Sequence, residues 1–149
     1  MKVLFVNLVY GTGSTGKIIA DIMNLLKKHG NDVKALYGTG VCSDNADAVK
    51  VSGDFGFYFH NAVSRFTDHA GLYSWAATRK MIREIRAFQP DLIHLHTLHG
   101  FYVNYEMLFR FLKEANIPVV WTLHDCWTFT GHCTHFSQVK CVQWQTECR

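Results

Sequence analysis

The sequence predicts an α/β domain: a mostly parallel sheet flanked by helices, followed by an irregular Cys/His-rich C-terminal tail. Three observations predict it. Short apolar runs of strand length alternate with segments whose apolar residues recur at helical spacing. The first run, KVLFVNLV at 2–9, is almost continuously apolar, the mark of a central parallel strand covered on both faces. A glycine-rich turn, Gly11 to Gly16, joins that run to the first helical segment.

The elements follow in order. Lys17 to His29 repeats apolar residues at Ile18, Ile22, Leu25 and Leu26, which is helical spacing. Lys27, Lys28 and His29 complement the dipole of its last turn, and Gly30 ends it. Strands are predicted at 32–37 (DVKALY) and, more weakly, at 48–52 (AVKVS). Residues 53–73 crowd Phe55, Phe57, Tyr58, Phe59 and Phe66 among Gly53, Gly56 and Gly71. They read as a short helix with loops packed on the core; a surface for an apolar ligand or a membrane is the alternative. Ser74 opens a helix with Met81, Ile82, Ile85 and Phe88 on one side and Arg79, Arg83 and Arg86 on the other. Pro90 stops it, and DLIHLH (91–96) is a short strand. Asn104 can cap a helix in which Tyr105, Leu108, Phe109 and Leu112 share a face. Val119 to Leu123 reads as another buried strand, and no regular pattern follows His124.

Composition bounds the function. The 149 residues suit one domain, and 48% hydrophobic content with 2 prolines excludes a disordered or collagenous chain. A net charge of +3 is far from the dense basic footprint of a nucleic-acid binder, so no nucleic-acid partner is expected. No apolar run approaches the ~18 residues of a membrane span. The opening segment carries one basic residue, is interrupted by Asn7 and lacks a small-residue cleavage site, so it reads as a strand and not a signal peptide. A cytoplasmic protein with reduced thiols is expected. Five cysteines, an odd count, argue against a disulfide framework.

Ligands of parallel α/β sheets bind beyond the carboxyl ends of the strands. Three features fall there: Gly11–Gly16, His94 with His96, and His124-Asp125. The loop GTGSTGK (11–17) fits two nucleotide-binding patterns only in part. Ile18 stands where a triphosphate-binding loop needs a hydroxyl for Mg²⁺, and no acid clearly serves as a second metal anchor. Leu36-Tyr37-Gly38 offers no carboxylate for a dinucleotide ribose. What remains is a helix start that can receive an anion on its N–H groups, with Ser14 and Thr15 as further donors. A tight strand-to-helix turn is the plainer reading.

His94, His96 and His99 form H-x-H-x-x-H, with Leu98 where a di-zinc hydrolase wants an acid. His94 and His96 share a strand face and could chelate one metal; a structural role fits His94 equally. His124 can donate a hydrogen bond or accept a proton near neutral pH. Cys133, Cys141 and Cys148 are candidate zinc ligands, with His132 or His135 or a further cysteine as the fourth; buried reduced thiols are the alternative.

The string TLHDCWTFTGHC (122–133), followed by Cys141, Trp144 and Cys148, resembles bacterial family-4 glycosyltransferases of the capsular and exopolysaccharide type. The likeness continues through PDLIHLHTLHGFYVNYEMLFRFL (90–112) and NLVYGTGSTGKI (7–18). It implies the GT-B arrangement, two Rossmann-like domains facing across a cleft, with residues 1–149 as the single acceptor-side N-terminal domain and the donor-binding domain absent. It implies that Gly13, Ser14, Thr15 and Gly16 approach the donor diphosphate. His124 contacts the transferred sugar, with Asp125 beside it as its catalytic companion. His96, His99, Gly100, Tyr102 and Asn104 belong to the acceptor-side wall.

The implied activity is retaining transfer of a sugar from a nucleotide-sugar donor, bound through the missing domain, to a saccharide or polyprenyl-linked acceptor in surface polysaccharide synthesis. No cofactor is required for transfer; a structural zinc in the tail stays open. Peripheral contact with the inner face of the membrane is compatible with such an acceptor. The 149 residues alone are expected to be inactive. The alternative function is a non-catalytic module that binds a saccharide or lipid carrier.

Overall fold

The computed structural model describes residues 1–40, 44–67, 69–131 and 133–146. Five parallel strands form one sheet: β1 (Lys2–Asn7), β2 (Asp32–Tyr37), β3 (Ala48–Lys50), β4 (Leu92–Leu95) and β5 (Val119–Trp121), in the order β3-β2-β1-β4-β5. The chain moves outward from β1 through β2 to β3, then crosses to β4 and β5 on the other side. The order therefore reverses between β1 and β4, where a crevice opens at the carboxyl ends.

The helices are α1 (Gly13–Lys28), α2 (Asp54–Thr67), α3 (Trp75–Phe88), α4 (Tyr105–Ala115) and the short α5 (Trp127–Thr130). One sheet face packs Leu4, Val6, Ile93 and Leu95 against Met81 and Ile85 of α3 and Leu108 and Leu112 of α4. The other packs Val3, Phe5 and Val33 against Ile19 and Met23 of α1. Burial on both faces is why β1 reads as continuously apolar. The Asn104 side chain caps α4, accepting from the Met107 amide at 2.9 Å as its position predicts. Gln89 closes α3 in the left-handed region, directly before Pro90.

Four expectations need correction. Helix α1 begins at Gly13, four residues before Lys17, because extended Thr12 serves as its N-cap and Gly13–Gly16 are its first turn. Its buried side chains are Ile19 and Met23, whereas Ile18 and Leu25 are exposed. Ile22 and Leu26 of the predicted stripe pack partly buried against the same core, so the inward side runs Ile19, Ile22, Met23 and Leu26.

Strand β5 is a three-residue strand with Val119 42% and Val120 47% exposed, not a buried run to Leu123. Among the described residues it is hydrogen-bonded to β4 alone, so it stands at the sheet edge. Residues 54–67 form a full helix whose aromatic residues mostly face outward instead of packing on the core. After His124 the chain forms α5 and two 3₁₀ turns, Phe136–Val139 and Gln143–Gln145. The rings of Phe129, Phe136 and Trp144 hold that tail together, with centroids 5.8, 5.6 and 5.0 Å apart.

Candidate active site at the carboxyl end of the sheet

Asn7 ends β1 at the crevice and is 2% exposed. Its Oδ1 accepts from the Thr97 amide at 3.1 Å, just beyond β4. Its Nδ2 donates to the Val9 carbonyl at 2.7 Å and to Thr15 Oγ1 at 3.3 Å. One buried amide thus ties the glycine loop to the loop after β4, the two walls of the crevice.

The glycine loop is built for close approach. Gly11 and Gly13 have φ of +69° and +63°, and the Gly11 amide donates to the Gly16 carbonyl at 3.1 Å. A Cβ on Gly16 would meet Gly11 N and Val9 Cγ2 at 3.2 Å, so the loop folds back closely over this glycine and a side chain there would press on it. Above Gly13, by contrast, the space is open. Gly13 and Ser14 are exposed, Thr15 half-buried and Gly16 buried. The amides of this first turn have no carbonyl partners within the helix, and the turn carries no acidic residue. Both properties suit an anion.

Across the crevice three histidines line up. His94 Nε2 lies 2.8 Å from Thr122 Oγ1, and its ring is tilted by 36° against that of His96, with centroids 4.2 Å apart. His96 is 2% exposed, with Nδ1 2.9 Å from His124 Nε2 and Nε2 buried without a partner among the described residues. Burial, reinforced by unfavourable electrostatic interaction with the His94 and His124 rings, pushes His96 down to about 3, so it is neutral at physiological pH. Burial lowers His94 as well, again with His124 contributing. The Trp121 indole N–H donates to the His96 carbonyl at 2.8 Å and fixes the backbone beneath the pair.

His99 Nε2 donates to Asp125 Oδ2 at 2.7 Å, and Asp125 Oδ1 accepts the Trp127 amide at 2.9 Å. Both carboxylate oxygens are thus engaged. Asp125 orients His99 and starts α5. His96, His99, His124 and Asp125 close around a cavity of only about 10 Å³, too small for a sugar. His124 itself is half-buried.

The remaining wall residues sit behind that surface. Tyr102 is fully buried and donates to the Thr97 carbonyl at 2.8 Å; burial raises its pKa well above the usual value. Asn104 is spent on the α4 cap, on the Leu72 carbonyl and on its own amide's bond to Thr78 Oγ1. Gly100, at φ +117°, lies so close to Leu8 that a Cβ would come within 2.7 Å of its Cδ1. These three shape the wall, while His99 presents its face.

The sequence profile of Glycosyltransferase Family 4 matches residues 15–144, nearly the whole chain and every element just described except β1 and the start of the glycine loop. The chain belongs to glycosyltransferase family 4. It is also similar to WcaC of Escherichia coli (strain K12), provisionally named a colanic acid biosynthesis glycosyl transferase: 33% identical over 69 residues, 43% of this chain and 16% of the relative. The chain thus spans about a sixth of the length of the curated relative it matches.

Within this family-4 chain the tail does not assemble a metal centre from the described residues: no three His, Cys, Asp or Glu side chains gather there as a ligand set. Cys133 and Cys141 are half-buried free thiols, and the 126–134 loop is closed by the Cys126 amide on the Thr134 carbonyl at 3.0 Å. Cys148 and His132 lie outside the described residues. No described helix is long and apolar enough to cross a membrane. Sequence reasoning passed over Asn7, Thr122 and Trp121. The signal for Asn7 was available: a polar residue ending an otherwise apolar central strand, where that strand meets the crevice.

Proposed function

We propose that this family-4 chain is the acceptor-side domain of a retaining glycosyltransferase. It moves a sugar from a nucleotide-sugar donor to a saccharide or lipid-linked acceptor, in the synthesis of a surface polysaccharide such as the one named for its relative. The observation that carries the proposal is the Asn7 tie, which sets an open helix start on one side of the crevice and the His96–His124 pair on the other. The amides at Gly13–Gly16 hold the donor diphosphate and offset charge that grows on it as the glycosidic bond breaks. His124 hydrogen-bonds the transferred sugar. Asp125 acts through His99, holding that ring toward the acceptor. The family resemblance implies no metal at the reacting phosphate, and a second domain supplies the nucleotide pocket.

These 149 residues by themselves fold and bind donor weakly, because a ligand needs several convergent contacts to offset its lost freedom. Calorimetry of this chain with uridine and guanosine diphosphate sugars should give affinity no better than roughly millimolar. Joined to a donor-binding domain, it should turn donor over; no transfer by any such pairing would overturn the proposal. Zinc in the tail needs Cys148 beside Cys133 and Cys141. Metal analysis of chelator-free protein tests it: near-stoichiometric zinc supports the site, and metal-free protein with an ordered tail removes it.

A further inference from the structure

The small cavity beside the histidines is lined by two polar atoms that nothing else satisfies. Among the described residues, three side chains bury a polar atom without a hydrogen-bond partner: Ser64 Oγ, His96 Nε2 and Thr128 Oγ1. His96 and Thr128 line the same cavity, and they reach it from different elements, His96 directly after β4 and Thr128 within α5. The cavity measures about 10 Å³, close to the roughly 10–15 Å³ that one water needs.

The charged groups around it are engaged elsewhere. His99 holds one oxygen of Asp125, and the Trp127 amide holds the other. His124 Nε2 faces His96 Nδ1. What remains is one imidazole nitrogen and one hydroxyl, a neutral pair that offers a cation no charge. A dry cavity would be apolar, and this one is not. A single water satisfies both atoms: it accepts from the Thr128 hydroxyl and donates to His96 Nε2.

The His96 ring has no freedom to turn toward another partner. Its centroid lies 6.1 Å from that of Phe5, 4.2 Å from His94 and 5.2 Å from His124, and the residue is 2% exposed. Nε2 therefore keeps its place on the cavity, and whatever meets it there also decides how the ring addresses His124.

We propose that Thr128 is a positioning residue for His124, acting through one buried water and the His96 ring. The water donates to Nε2, so the proton of His96 sits on Nδ1 and is given to His124 Nε2. His124 then carries its own proton on Nδ1. Helix α5 is thereby fastened to the histidines twice, through Asp125 on His99 and through Thr128 on His96. The water bridge stands on the cavity and its two polar atoms alone. Its value to transfer rests on the glycosyltransferase reading, in which His124 meets the sugar.

The test compares Thr128→Val, which removes the hydroxyl at similar volume, with Thr128→Ser, which keeps it. A crystal structure of the unsubstituted chain should place a water within hydrogen-bond distance of both His96 Nε2 and Thr128 Oγ1. In nitrogen-15 correlation spectra, Thr128→Val should shift the His96 Nε2 resonance toward that of a bare imidazole nitrogen, and Thr128→Ser should restore it. In the protein joined to a donor-binding domain, Thr128→Val should lower kcat roughly threefold to tenfold, the effect of one hydrogen bond, with KM for donor unchanged and Thr128→Ser near the parent. No water at that place, or a His96 resonance indifferent to Thr128→Val, would overturn the bridge. A shifted resonance with unchanged kcat would overturn the positioning role. If the unsubstituted joined protein transfers nothing, the glycosyltransferase reading fails and the role in transfer with it, while the bridge still stands or falls by the spectra.

Discussion

His96 Nδ1 lies 2.9 Å from His124 Nε2, so one ring donates a proton to the other. The buried partner decides which ring carries it. His96 Nε2 has no partner among the described residues, and a buried bare acceptor is tolerated more readily than a buried orphan N–H. His96 therefore carries its proton on Nδ1 and donates, and His124, accepting on Nε2, carries its own proton on Nδ1. Nitrogen-15 correlation spectra of the two rings should show both as Nδ1–H tautomers. An Nε2–H tautomer at His124 would contradict this arrangement.

The same burial makes stability depend on pH. His96 is pushed down to about 3, and His94 and His60 are lowered by burial. Below pH ~6.5 the unfolded chain takes up protons that the folded chain refuses, so stability is fully present above that pH and falls as pH drops toward 3. The slope from His96 alone is at most about 1.4 kcal/mol per pH unit. The urea midpoint should fall between pH 7 and pH 5. A midpoint that holds level or rises would show that the histidines are not buried as neutral groups.

Asn7 should be costly to replace. Asn7→Ala leaves the Thr97 amide without its acceptor and the Val9 carbonyl without its donor, both partly buried at the strand end. A loss of about 2–4 kcal/mol is expected from two unmet groups. Asn7→Asp keeps an acceptor for Thr97 but loses the donor side and buries a charge, so it should be no milder. Urea denaturation reads both. A loss under about 0.5 kcal/mol for either variant would mean that the crevice is not held by this amide.

The helix start at Gly13–Gly16 should take an anion. Crystals grown with phosphate or pyrophosphate should place it at those amides, and Gly13→Val should remove it. Valine is strained at φ +63°, and its side chain would fill the open space above the turn. Unchanged anion binding in the Gly13→Val protein would reduce the loop to a tight turn.

Much of this was legible in the chain because parallel sheets write their strands as apolar runs and their sites at strand ends. The runs at 2–9 and 91–96 and the Asn104 cap gave β1, β4 and the start of α4. Burial could not be read where it depends on neighbours remote in sequence. Val119 and Val120 look like core residues and are edge residues, because their exposure is set by what flanks β5. Helix α2 defeats periodicity outright, since His60 and Ser64 face inward. The histidines were visible as strand-end residues, but the His96–His124 and His99–Asp125 contacts join positions 28 and 26 residues apart. Only the packing of β4 against β5 brings them together.

The most direct test of the account is turnover of His124→Ala in a protein that joins this chain to a donor-binding domain. His124→Ala leaves the buried His96 Nδ1–H without its acceptor, so a stability loss of about 1–3 kcal/mol is expected and turnover is compared under conditions where both proteins are folded. Turnover should fall at least ~10²-fold, the usual effect of losing a positioned acid, base or polar contact. Full turnover in a folded His124→Ala protein would place the sugar site elsewhere.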